Sequence, residues 1–176
     1  MKLSILLVFI SLTAFAQRTP LPTADHVEIS KYVGKWYAIT ALPQFFTRSC
    51  RAQTAEYAVL NPQTVSVLNT CLKKNHKVST IRGEAVVLNA TTNAELQVTF
   101  DNFFTRLFRV KGDYTIIKLD PEYRYSLVGS HDRKSLWLLS REKLMPAADR
   151  REYVELAGSL GFPVGKLVES NFQDVR

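Results

Sequence analysis

Tyr123-Arg124-Tyr125-Ser126-Leu127-Val128-Gly129 and Ser135-Leu136-Trp137-Leu138-Leu139-Ser140-Arg141 flank the polar stretch Ser130-His131-Asp132-Arg133-Lys134. Each run is too short for a stable helix and is rich in aromatic and aliphatic residues. A polar connection between two such runs reads as two antiparallel strands and their turn. Working outward, the same unit recurs. Val110 to Leu119 precedes the turn residues Asp120-Pro121-Glu122. Ala94 to Phe100 and Val78 to Leu88 lie on either side of Asn89 to Asn93. Thr64 to Leu72 and Thr54 to Leu60 flank Asn61-Pro62-Gln63, and Gly34 to Ala41 comes first. Eight closely spaced sequential strands give an up-and-down antiparallel meander. Closing it into a barrel removes both exposed edges. The expected fold is therefore all-β, an eight-stranded calyx.

Downstream of the meander the period changes. Tyr153, Leu156, Ala157 and Leu160 recur at helical spacing, between Pro146 and Gly158 or Gly161. Pro suits a first helical turn and Gly a helix end, so one C-terminal α-helix packs its stripe on the outside of the barrel. Lys166 to Glu169 could add a short ninth strand. The chain has 176 residues, a net charge of +7, 46% apolar residues and 22% charged ones. These values suit one domain and exclude a disordered or low-complexity chain.

The N-terminus reads as a targeting device. Lys2 is followed by the apolar run Leu3 to Ile10 and by Ala14-Phe15-Ala16, a small-x-small cleavage pattern. The run is shorter than the roughly 20 apolar residues of a membrane span. Residues 1–16 are thus expected to be a signal peptide, with cleavage near Ala16-Gln17 and a single domain over 17–176. No Cys lies near that point for lipid attachment, so the expected location is periplasmic or secreted. In an oxidising compartment Cys50 and Cys71 are expected to form a disulfide; two buried thiols are the alternative.

A closed meander places the start of the first strand beside the end of the eighth, which brings Trp36 close to Arg141. A guanidinium over an indole gains about 0.5–2 kcal/mol and suits a plug at the closed end. The longer loops, about 42–53, 73–77, 101–109 and 130–134, fall at the opposite, open mouth. They bring Phe45, Phe46, Phe103, Phe104 and Phe108 among Arg48, Arg51, Lys73, Lys74, Lys77, Arg106, Arg109, Lys111, Arg133 and Lys134. Aromatics beside cations suit an amphiphile with an anionic head, or contact with an anionic membrane surface; scattered surface charge is the plainer reading.

Inward positions follow from strand alternation. Ile81, Gly83, Ala85 and Val87 share one face, as do Leu96, Val98 and Phe100, and Tyr114, Ile116 and Lys118. An eight-stranded lumen holds packed side chains or one small ligand, and Gly83 with Ala85 would leave room for the ligand. Tyr114 is the candidate for hydrogen-bonding a ligand head group. Lys118 faces the lumen only if Tyr114 does, and an outward Lys118 is equally compatible with the pattern.

Gly34-Lys35-Trp36-Tyr37 resembles the G-x-W motif of the lipocalins. Asp120-Pro121-Glu122-Tyr123 is similar to that family's second motif, and Arg141 to the arginine of its third. The two runs quoted first, with Leu42-Pro43, Cys50 and Ala55-Glu56-Tyr57, resemble the bacterial lipocalin and apolipoprotein D branch, from about Val33 to Val168. The resemblance implies a calyx binding, storing or transporting a small hydrophobic amphiphile such as a fatty acid or lysophospholipid. It implies structural roles for Gly34, Trp36 and Arg141. Relatives anchored through an N-terminal Cys differ from this chain, and Lys118 stands where a small or apolar residue is expected. The expected ligand set is Tyr114, Phe100, Val98, Leu96, Ala85, Gly83, Ile116, Phe104 and Lys118.

Other classes are poorly supported. His26, His76 and His131 fall in no metal-ligand spacing. Gly158-Ser159-Leu160-Gly161 lacks the spacing of a nucleophile elbow, so no enzyme, metal or cofactor is expected. Export and the lack of a recognition motif speak against nucleic acid. A tetrapyrrole or other pigment is the main alternative cargo, a lipocalin-fold enzyme a lesser one, and a monomer or weak dimer is expected. Asn89-Ala90-Thr91 is an N-glycosylation sequon, relevant in a eukaryotic host.

Overall fold

The computed structural model describes residues 19–101 and 111–173. The signal-peptide reading and Phe103, Phe104, Phe108, Arg106 and Arg109 lie outside the described residues. The strands are β1 (Gly34–Ala41), β2 (Cys50–Asn61), β3 (Thr64–Lys73), β4 (Val78–Val87) and β5 (Glu95–Phe100). They continue as β6 (Lys111–Leu119), β7 (Tyr125–Gly129), β8 (Leu136–Ser140) and β9 (Val168–Glu169). Each of the first seven pairs antiparallel with the next, and pairing of β1 with β8 closes the barrel. The register sets Trp36 opposite Ala55 and Tyr37 opposite Ser140. β9 adds to β1 outside the closed ring, with Ala41 opposite Val168.

β2 starts four residues before the expected Thr54. Its first turn of alternation buries only Cys50 and Ala52 between Arg51 and Gln53, a weak apolar signal. The strand is set there by pairing with β3 and by the Cys50–Cys71 disulfide, whose Cα atoms are 5.3 Å apart. Closing a loop of this length stabilises by about 3 kcal/mol in the chain-entropy model.

Two apolar layers lie on the two faces of the sheet. Inside the barrel, Trp36, Ala38, Ala55, Tyr57, Val67, Leu96, Val98, Ile116 and Leu139 pack together. Outside, Ile117, Tyr125, Leu127, Leu136 and Leu138 meet Tyr153 and Ala157 of the helix α2 (Ala147–Ser159) and Phe162 just beyond its end. Burying Tyr153 and Ala157 realises the stripe read from helical spacing.

A bulge decides the orientation of Lys118, which the strand pattern leaves open, and takes it out of the expected ligand set. Ile116 pairs with Val128, but the next partner of Leu127 is Lys118, so Ile117 is an extra residue in β6. An extra residue breaks the two-residue alternation. Ile116 therefore stays in the lumen core while Ile117 joins the helix-side layer. Lys118 follows it outward, donates to Glu152 of α2 and lies 4.7 Å from the Tyr153 ring.

At the closed end the N-terminal segment runs under the barrel. Ala24 N–H donates to the Ile116 carbonyl (2.9 Å) and Val27 N–H to that of Thr92 (2.7 Å). The short helix α1 (Ile29–Tyr32) then brings Tyr32 into the lumen. Arg141 stacks on Trp36, 3.8 Å from the ring centroid. Its guanidinium also donates to the carbonyls of Lys35 (2.9 Å), Lys31 (2.7 Å), Tyr32 (3.0 Å) and Tyr123 (3.3 Å). Gly34, at φ +92°, would place a Cβ 3.4 Å from Arg141 Nη1, so the motif glycine provides both the turn and the clearance.

Candidate functional site

The lumen above the plug is a cavity of about 310 Å³. Ala38, Ala55, Val67, Ile81, Val98, Phe100, Trp137 and Leu139 make most of its wall. Gln53, Asn69, Thr70, Ser79 and Thr80 add polar groups, mostly toward the mouth, where Phe46 and Thr47 border the opening. Among the described residues the lining holds no Lys or Arg, and Asp113 is its one carboxylate.

Hydroxyls form the floor. Tyr114 Oη lies 2.8 Å from Tyr32 Oη and 3.0 Å from Tyr57 Oη, and Tyr32 Oη lies 3.1 Å from Ser126 Oγ. Tyr32 comes from α1, Tyr57 from β2, Tyr114 from β6 and Ser126 from β7. Burial pushes the Tyr32 phenol up to about 12, and it holds Tyr57 and Tyr114 well above the usual phenol range. All three stay protonated at physiological pH, because an ionised phenol would lose its hydration here. Tyr32 stacks on Trp36 at 5.0 Å, which couples the floor to the plug below.

The expected site residues divide into groups. Val98, Phe100 and Tyr114 line the main cavity. Ala85, Leu96 and Ile116 lie lower, around a void of about 10 Å³ beneath the tyrosines, too small for more than one water. Gly83 does not enlarge the lumen: a Cβ there would lie 2.4 Å from the Thr99 carbonyl oxygen, so the glycine admits the β5 backbone instead. Lys118 is on the outer face. Tyr114 sits on the floor, so it and the mouth cations cannot grip one compact head group together. Phe104 lies outside the described residues.

Arg133, expected at the mouth, is 7% exposed. It donates to the carbonyls of Thr19, His131 and Leu160, tying the N-terminal segment and the end of α2 to the β7–β8 turn. Lys134 pairs with Asp132. Arg48, Lys74, Lys77 and Lys111 remain exposed at the mouth. None of the three histidines lines the cavity; His131 lies near Thr115 and Glu95, and His26 near the Thr91 carbonyl.

Sequence reasoning missed Tyr57, Tyr32 and Trp137 as lining or floor residues. Tyr57 was readable, since it alternates with Ala55 along one strand face. Tyr32 was not, because its position depends on a single helical turn folding under the barrel.

A calyx closed at one end by Trp36 and Arg141 and hollow above has room for one small molecule. The family model of the lipocalin-like domain matches residues 27–171, and the chain belongs to the lipocalin family. Outer membrane lipoprotein Blc of Vibrio cholerae is 32% identical over 149 residues, 84% of this chain and 83% of that protein. Apolipoprotein D of Bos taurus is 31% identical over 132 residues, 71% of this chain and 66% of that protein. Insecticyanin from the tobacco hornworm Manduca sexta shares the fold, with a TM-score of 0.67 at 16% identity over 89% of this chain and 86% of that one. The protein is thus a lipocalin-fold ligand-binding protein, related to Blc and apolipoprotein D.

Proposed function

We propose that the protein is exported and binds, stores or moves a fatty acid, a lysophospholipid or a similar amphiphile. The carrying observation is the 310 Å³ cavity with a mainly apolar wall, open at the mouth and floored by hydroxyls. That volume is at the low end of small-molecule sites, about 300–1,000 Å³, which suits one slender chain better than a broad tetrapyrrole. Each buried methylene adds about 0.8 kcal/mol. A charged head belongs at the mouth, where Arg48, Lys74, Lys77 and Lys111 are, rather than on the uncharged floor. The disulfide suits an oxidising compartment.

Native mass spectrometry of detergent-free protein from its natural source tests this reading. A mass increment matching a fatty acid or lysophospholipid is expected. An empty barrel that also fails to take up added fatty acid, or a coloured one, would refute it.

Loading from a membrane is part of the proposal. Phe45 is 84% and Phe46 69% exposed, on a turn tied in place by hydrogen bonds. Gln44 N–H donates to Thr47 Oγ1 (3.0 Å), and Gln44 Nε2 donates to the Lys134 carbonyl (2.9 Å). Arg48 lies 5.7 Å from the Phe45 ring, and Val78 is exposed beside Lys77. Rings that can enter a bilayer next to cations favour anionic lipid surfaces. The protein is expected to sediment with phosphatidylcholine vesicles containing phosphatidylglycerol, to be released by salt, and to lose most of this binding on Phe45→Ser with Phe46→Ser. Equal binding by the double variant would exclude the turn from the contact.

A further inference from the structure

We propose that the cavity floor selects ligands with a neutral oxygen, hydroxyl or carbonyl, at the buried end of the chain, and that this oxygen accepts a hydrogen bond from Tyr57. The inference rests on the lumen reading above and narrows its ligand class.

Ser126, Tyr32, Tyr114 and Tyr57 form a linear chain of four hydroxyls joined by three contacts. Each hydroxyl has one proton to donate. Three contacts use three protons, and where each inner hydroxyl accepts one bond and donates one, the unused proton is at an end of the chain. If the bonds run from Tyr57 toward Ser126, the leftover proton belongs to Ser126. That residue is fully buried, and among the described residues its hydroxyl has no second partner. A buried donor left unpaired is costly. If the bonds run the other way, from Ser126 through Tyr32 and Tyr114, the leftover proton belongs to Tyr57, which lines the cavity. Of the two directions, this one gives the last proton a place to go, and bonding that converges on Tyr114 would likewise turn the unused proton toward the cavity. An oxygen on the ligand completes the chain.

The lining explains why that oxygen is neutral. Among the described residues no Lys or Arg faces the cavity, so a carboxylate at the floor would be desolvated without a counter-charge. An acyl chain with its anionic head at the mouth and a hydroxyl or carbonyl near its far end satisfies both ends. So does a neutral fatty alcohol inserted head-down. The shared chemistry is an uncharged oxygen acceptor at the buried end.

The test uses lauric acid and its ω-hydroxy analogue as competitors for a fluorescent fatty acid, on wild type, Tyr57→Phe and Ser126→Ala. Wild type is expected to bind the hydroxylated acid at least as tightly as lauric acid, although its tail is more polar. In Tyr57→Phe the hydroxylated acid is expected to bind about tenfold more weakly, from the lost bond to its buried oxygen, with lauric acid changed by less than about threefold. Ser126→Ala removes the far end of the chain and is expected to keep the wild-type ratio. An unchanged ratio in Tyr57→Phe, or its loss in Ser126→Ala, overturns the proposal while leaving lumen binding intact. Failure of both acids to compete in wild type overturns the lumen reading as well.

Discussion

Trp36→Ala is expected to lower the stability of the barrel by about 3–5 kcal/mol, the usual cost of removing a fully buried large aromatic side chain. Trp36 is wholly buried, stacks against Tyr32, and donates from its indole nitrogen to the Tyr32 carbonyl at 2.8 Å. Its other face carries Arg141. Removing the ring leaves a void under the floor and takes away the surface on which the guanidinium lies. Arg141→Ala strips a donor from four carbonyls that come from α1, β1 and the β6–β7 turn. Lys at this position could not replace it, because one ammonium cannot match a planar fork that both stacks and bonds. For a chain of this size each kcal/mol moves the melting temperature by about 2–4 °C, so the Trp36 variant should melt roughly 6–20 °C lower. Thermal unfolding followed by circular dichroism measures this. A lost affinity at unchanged melting temperature would show that the pair serves the ligand and not the closed end.

Val98→Trp should abolish binding with a far smaller loss of stability. Val98 points into the cavity from β5 and is flanked across the sheet by Ala85 and Gly112, so an indole there has space to extend into the void. Filling a cavity avoids much of the strain of overpacking a dense core, which costs about 1–3 kcal/mol. The indole would occupy the volume of several ligand methylenes. Displacing four of them forfeits about 3 kcal/mol, or a factor of more than 100 in affinity. Titration with a fluorescent fatty acid reads the loss directly. Retained affinity would place the ligand outside the lumen, on the mouth or the outer surface.

These two substitutions contrast the parts of the molecule that were legible in the chain with those that were not. The plug was legible because topology alone brings Trp36 beside Arg141: an antiparallel meander of eight strands that closes into a barrel must join its first strand to its last. Val98 was legible because period-two alternation assigns its face once one neighbour is known. The floor was not. Tyr32, Tyr57, Tyr114 and Ser126 belong to four separate elements, and no local pattern records that their hydroxyls converge. Tyr114 was legible from its strand face, but its place in the floor depends on α1 bringing the Tyr32 hydroxyl against it.

The sequence by itself determined the architecture: the number and order of strands, the barrel closure, the outer helix, the paired cysteines and the family. Each of these depends on short-range periodicity, turn chemistry or spacing, and such signals survive without knowledge of neighbours. Tertiary structure alone decided what the lumen presents to a ligand. One extra residue at Ile117 sent Lys118 outward to Glu152. The missing side chain of Gly83 went to a close strand contact rather than to cavity space. Arg133 was drawn from the mouth to three backbone carbonyls. In each case the side chain's role was set by partners distant in sequence, because burial and hydrogen-bond satisfaction are properties of the packed whole.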